Sequence, residues 1–134
     1  VSSTRAKIRA GFRIFQGLVY IGAGLNHFIT PSFYHRIMPP YMPAHSLLIN
    51  ISGVAEIILG AMLIIPKTTK LGAWGLIALL IAVWPANIHM ALNPAQFADL
   101  GGPVFLWIRA AVMQIGLMLW AYGFTHTFPD EKKA

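Results

Sequence analysis

The sequence predicts an all-α integral membrane four-helix bundle with both termini on the cytoplasmic side. Three observations predict it. Of 134 residues, 57% are hydrophobic and only 10% charged, against about 25% charged in a typical soluble domain, so a soluble fold could not cover its surface. The apolar residues gather into four stretches, near residues 11–29, 45–65, 71–92 and 103–124. Each is long enough to cross a hydrocarbon core of roughly 30 Å as a helix. Prolines and glycines punctuate their ends, where helices stop. Residues 1–134 therefore read as a single transmembrane domain.

The first stretch follows Arg5, Lys7, Arg9 and Arg13 and stops at Thr30–Pro31. It exceeds a signal-peptide apolar region and no small-residue cleavage site follows, so it reads as a retained span. The second stops at Pro66 and is joined to the third through Lys67 and Lys70; the fourth is followed by Lys132 and Lys133. Those eight basic residues share one side, against Arg36 alone in the opposite loops. The positive-inside rule makes that side cytoplasmic. The net charge of +6 then reads as a topology signal and lipid-headgroup contact, with no nucleic-acid partner. The absence of cysteine excludes disulfides, thiol relays, iron–sulfur clusters and thiolate-bound zinc.

Loops 30–44 and 93–102 fall on the outer side. The first carries Phe33, Tyr34, Pro39, Pro40, Tyr41 and Pro43, as either an interfacial aromatic belt or a lid over a pocket. The two outer helix ends also share a faint pattern of His, then Pro, then Phe: His27, Pro31, Phe33 and His89, Pro94, Phe97. As a parallel repeat it would bring His27 and His89 to one depth.

At about 100° per residue, one stripe of the first span holds Arg13, Gln16, Tyr20, Gly24 and His27. A face of the second holds His45, Ser52, Glu56 and Gly60; on the third, His89 aligns with Gly75, Ala78, Ala82 and Pro85; on the fourth, Arg109 aligns with Phe105, Met113, Gly116 and Trp120. A charge in hydrocarbon costs roughly 2.5–3.5 kcal/mol, so these faces should turn inward and mark a site. At 1.5 Å per residue Arg109 lies roughly 9 Å and Glu56 roughly 16 Å below the outer surface, a funnel with the carboxylate at its floor. Arg109 is long enough to reach Glu56; as a bare ion pair the two would fix helix register and nothing more. Asn26 and Asn87 lie off these stripes as cross-links between helices. The expected ligand pocket is Tyr20, Asn26, His27, Glu56, Asn87, His89 and Arg109.

The segments Leu25-Asn-His27-Phe, Pro31-x-Phe33-Tyr-x-x-Ile-Met-Pro-Pro40, Ser52-Gly-Val-Ala-Glu56-x-x-Leu-Gly60 and Pro85-Ala-Asn-Ile-His89-Met-Ala91 resemble the DoxX-like family of small four-helix membrane proteins, over about residues 11–125. The resemblance implies an inner-membrane bundle with Asn26, His27, Glu56, Asn87, His89 and Arg109 as its polar core. It also implies an association with redox chemistry, since some relatives accompany quinone-reducing thiosulfate oxidation. Other relatives use cysteines, which this chain lacks.

The function expected on these grounds is quinone-linked redox metabolism. Tyr20, Trp84, Phe105 and Trp107 would wall a quinone slot, His27, His89 and Arg109 would donate to its carbonyls, and Glu56 would shuttle a proton. Two alternatives stand beside it. One is a non-catalytic accessory subunit or assembly factor, with a membrane protein partner or a homo-oligomer. The other is a haem site on His27 and His89, or copper with His35, His45, Met38, Met42 and Met90 nearby.

Overall fold

The structure, a computed structural model, describes residues 2–126. Lys132 and Lys133, used in the charge argument, lie outside the described residues. Among the described residues the chain is helical with no strand: α1 (Ser2–Ile29), α2 (Pro31–Ile37), α3 (His45–Ile64), α4 (Thr69–Leu92), α5 (Pro103–Trp107) and α6 (Gln114–Gly123). Short 3-10 turns at Pro66–Thr68 and Pro94–Leu100 join α3 to α4 and α4 to α5, and a π-helical segment, Ile108–Met113, runs between α5 and α6.

Three stretches, His45–Ile64, Pro66–Leu92 and Pro103–Gly123, are long and apolar enough to cross a membrane. The fourth expected span, within α1, is not among them. Helix α1 is the longest, but Arg13, Gln16, Asn26 and His27 keep it too polar to qualify on composition. It also begins at Ser2 rather than near residue 11. The basic N-terminal run is rich in Ala, Arg and Lys, which favour helix, so the helix continues where the apolar pattern stops. Nor is loop 30–44 irregular throughout. Pro31 stands at the first helical position of α2, where its missing N–H costs nothing.

Helix α1 packs along α3, α3 along α4, and α4 along α6. Phe12 and Phe15 of α1 meet the Trp120 ring of α6, with ring centroids 6.4 and 6.1 Å apart. The α1–α3 crossing is set by glycine. A Cβ on Gly24 would lie 2.6 Å from the Gly53 carbonyl oxygen, and one on Gly60 would lie 2.7 Å from that of Gly17. The pairs Gly17–Gly60 and Gly24–Gly53 thus bring two antiparallel backbones close at two points two turns apart, the small-residue packing of helices in lipid. Ile8, Phe12, Leu18, Ile58, Leu71, Trp74, Val112 and Leu119 are exposed on the outside, an apolar belt that suits acyl chains rather than water.

Two apolar clusters fill the interior. One joins Tyr20, Leu63, Ala73, Leu76, Leu80, Ala121 and Phe124, towards the end that carries the Pro66 turn. The other joins Ile37, Met90, Ala91, Phe97, Leu106 and Ala110, at the end covered by α2 and the 94–100 turn. At the Pro66 end, the Arg13 guanidinium donates to the carbonyl oxygens of Leu63, at 2.9 Å, and of Ile64. A cation there suits the negative end of the α3 dipole.

Candidate functional site

A cavity of about 500 Å³ lies among α1, α3, α4 and the α5–α6 stretch, roofed by α2 and the chain that follows it. Most of its wall is apolar, from residues such as Val19, Leu48, Ile51, Leu79, Val83, Phe105 and Leu117. Tyr20, His27, Tyr34, Ser52, Glu56, Asn87, Arg109 and Gln114 also line it. Five of the seven residues singled out from sequence therefore reach one cavity: Tyr20, His27, Glu56, Asn87 and Arg109.

His27 sits at its centre. Its Nδ1 lies 3.0 Å from the Ile49 carbonyl oxygen. That oxygen can only accept, so Nδ1 carries a hydrogen. Its Nε2 lies 2.8 Å from Oε2 of Glu56. A bare ring nitrogen facing a bare carboxylate oxygen at that distance would be two acceptors in contact, so the pair holds one proton between them. The Tyr34 ring stacks on the imidazole with centroids 3.9 Å apart. Asn26 Nδ2 donates to the Tyr34 hydroxyl at 3.0 Å. Asn26 thus acts on the cavity through Tyr34 and does not line it.

The expected Glu56–Arg109 pair does not form. Among the described residues the partner of Glu56 is His27, and no carboxylate lies within 4 Å of the Arg109 guanidinium. The reason is geometric. The Gly24–Gly53 crossing carries α1 against α3 and sets His27 beside Glu56, whereas Arg109 enters from the far wall. Arg109 also makes no hydrogen bond among the described residues, leaving a cation turned to an apolar space.

The π-helical segment explains what periodicity missed. Its bonds close five residues apart, so Arg109 and Gln114 share the cavity face although 100° spacing separates them. The buried Gln114 is fixed on both sides. Its Nε2 donates to the Leu80 carbonyl oxygen, and its Oε1 accepts from Asn87 Nδ2 at 3.0 Å. Pro85, inside α4, has no N–H for the carbonyl four residues back and loosens the helix there. The Trp84 indole N–H donates to the Ala110 carbonyl oxygen within the π segment. Trp84 and the half-exposed Trp107 are absent from the cavity wall, so of the four expected aromatic walls Tyr20 and Phe105 remain. A lone Gln in an apolar run was the signal available for Gln114.

His89 does not reach the cavity. Its ring meets Phe97, centroids 5.8 Å apart, and its Nδ1 lies 3.2 Å from Asn93 Nδ2. The two helix ends do leave alike, with φ/ψ of −126/62 at Thr30 and −126/56 at Asn93, each followed by a proline that starts a short helix. Aligned on those residues, His89 stands opposite Asn26 and the buried Met90 opposite His27. The repeat is displaced by one position, and the two imidazoles turn to different surroundings. Both nitrogens of His27 already have protein partners. Among the described residues no group of three or more His, Asp or Glu side chains could hold a metal ion. Met38 and Met42 do line the cavity.

The roof is clasped. The Arg36 guanidinium grips both carboxylate oxygens of Asp99, reaches the Gln96 carbonyl oxygen at 2.7 Å, and lies over the Phe97 ring. α2 is thereby tied to the 94–100 turn. The Arg36 hydrogen bond holds the Asp99 carboxyl below the usual carboxylate range. A lowered carboxyl pKa means the clasp is intact above that range and is lost as pH falls through the lowered value. Both partners are solvent-exposed, so global stability should change little. Asp99→Asn is expected to speed amide hydrogen exchange over residues 31–37 at neutral pH, with the fold retained. Unchanged exchange there would show that the clasp does not hold the roof.

Fold and site together define an all-helical protein with three stretches able to cross a membrane, built around an apolar cavity that holds a one-proton His–Glu pair and an arginine with no ion-pair partner among the described residues. The chain belongs to a family described as Domain of unknown function (DUF8561), whose model matches residues 17–125. No curated protein and no solved structure matches the chain. The DoxX-like resemblance is thereby corrected, since the matching family model is a different one and no DoxX family model matches. Among the residues behind it are prolines that start short helices and glycines at a helix crossing. Those residues meet packing demands common to helical bundles and carry little family information.

Proposed function

We propose that this protein is a multi-pass membrane protein that binds a lipid-soluble small molecule bearing a carbonyl or acidic oxygen head. In this reading α1 is a fourth crossing beside α3, and both termini are cytoplasmic in the inner membrane. The exposed apolar belt and the length of the α1–α3 contact support the membrane placement. One observation carries the ligand reading: Arg109 faces an apolar cavity of about 500 Å³ with no ion-pair partner among the described residues. A half-buried cation facing apolar wall is unfavourable without a partner, and cavities of 300–1,000 Å³ with a few convergent polar groups are typical ligand sites. The head group would meet Arg109, with Asn87 and Gln114 beside it, and the His27–Glu56 pair would give or take a proton. Quinones belong to this chemical class, and so do fatty acids and isoprenoid phenols.

The test is to identify what the cavity carries. Native mass spectrometry of protein released gently from membranes, followed by extraction, should find an oxygenated apolar molecule at near-stoichiometric amount. Protein that is uniformly empty, and is not stabilised thermally by a membrane lipid extract, would overturn the reading. The accessory-subunit reading rests on Gly11, Gly22 and Gly116, which face open space outside the bundle. A stoichiometric membrane partner at purification would support it.

A further inference from the structure

Below the cavity, towards the Pro66 turn, lies a polar group with no assigned purpose. Gln16 is fully buried, and neither its Oε1 nor its Nε2 has a hydrogen-bond partner. One turn further along α1, the buried Tyr20 hydroxyl also lacks one. The two side chains stand near each other without closing a bond of normal geometry. Gln16 does not line the cavity and takes no part in the Arg36 clasp, and the ligand reading gives it nothing to do. An amide with two donors and an acceptor, sealed from solvent, is unfavourable unless something bonds it. Buried water is what usually does so.

The surroundings give that water a direction. Tyr20 and Glu56 both line the cavity. Along one face of α1 the order is His27, Tyr20, Gln16, Arg13, spanning roughly 21 Å at 1.5 Å per residue. At the far end Arg13 is held on the carbonyl oxygens of Leu63 and Ile64 and close to the Thr69 hydroxyl. The C-terminal end of α3 thus offsets its charge, which would otherwise repel a proton.

We infer that water held by Gln16 and Tyr20 completes a proton path through the bundle, from the His27–Glu56 pair in the cavity to the Pro66 end beside Arg13. One proton joins the His27–Glu56 pair from the cavity side. A proton then leaves the pair to the water beside Tyr20, and each water takes up one O–H bond as it gives up another. The Tyr20 hydroxyl accepts and donates in the same way. Gln16 keeps its protons and only holds water in line. One proton appears at the Pro66 end, no electron moves, and the membrane potential or a pH difference supplies the drive. The inference rests on α1 crossing the membrane, as proposed above, and not on which ligand occupies the cavity.

The test is proton flux into proteoliposomes of purified full-length chain, driven by a potassium diffusion potential and read with an internal pH dye. The wild-type chain should conduct protons above protein-free vesicles. Gln16→Leu, which matches the shape and deletes the orphaned groups, should abolish the flux while melting no lower than wild type. Tyr20→Phe, which removes a single oxygen, should reduce it. No flux in the wild type, or equal flux in the Gln16→Leu variant, would overturn the path. Because Gln16 is outside the cavity wall, the Gln16→Leu chain should still carry the cavity's ligand. Loss of flux with the ligand retained separates the path from the binding site, and an empty cavity with flux intact would count against the ligand reading alone.

Discussion

Replacing Arg109 with methionine should weaken ligand capture by about tenfold or more and leave a folded, more stable protein. The guanidinium is the one cation lining the cavity among the described residues, and it has no carboxylate within reach. A charge-assisted hydrogen bond to a head group contributes about 1.5–3 kcal/mol. Its loss lowers affinity by about tenfold to more than a hundredfold at 1.4 kcal/mol per factor of ten. In the ligand-free protein the same charge faces apolar wall, so its removal should raise the melting temperature by a few degrees, an effect of about 1 kcal/mol. The two changes have opposite signs, which separates a binding role from a structural one. Were Arg109 a structural cation, the variant would lose stability and keep whatever ligand it carries. Thermal melts in detergent with and without a membrane lipid extract, beside mass spectrometry of the bound fraction, distinguish these outcomes.

The rods of the fold were legible because each ends at proline or glycine and its apolar length matches what a helix can bury. The inward faces of α1 and α3 were legible for a related reason, since Tyr20, His27 and Glu56 obey 3.6-residue spacing and lipid would reject them. Three things were hidden, each for a physical cause. Gln114 was missed because the π-helical segment Ile108–Met113 shifts the phase of the last rod, and no periodicity computed at a fixed angle can follow that. The partner of Glu56 was misassigned because depth along a helix says nothing about which neighbour lies closest. That choice belongs to the glycine crossing, which is a property of two helices together. His89 was grouped with His27 because both precede a proline. The spacing from histidine to the exit residue differs by one position, and one residue on a helix turns a side chain by about 100°.

The glycine crossing itself gives the second large effect. Gly24→Val should destabilise the bundle by about 1–3 kcal/mol, the usual range for overpacking. At this position the added atoms meet the facing backbone as well as the Ile57 side chain. A Cβ there would lie 2.6 Å from the Gly53 carbonyl oxygen and 3.0 Å from the Ile57 amide nitrogen. The helices must separate to admit it. His27 is one turn from Gly24, and its 2.8 Å contact with Glu56 cannot survive a separation of an ångström or more. The shared proton then stays with one partner alone, and the His27 ring resonances should shift in NMR spectra of ring-labelled protein. Gly22→Val provides the contrast. It lies on the same helix two residues earlier, where an added Cβ meets nothing within 4 Å, so it should leave the His27 signal unchanged and cost no more than a few tenths of a kcal/mol, as surface substitutions do. If both variants behaved alike, the α1–α3 contact would not be what sets the His27–Glu56 pair, and the cavity's proton site would owe its geometry to the roof above it instead.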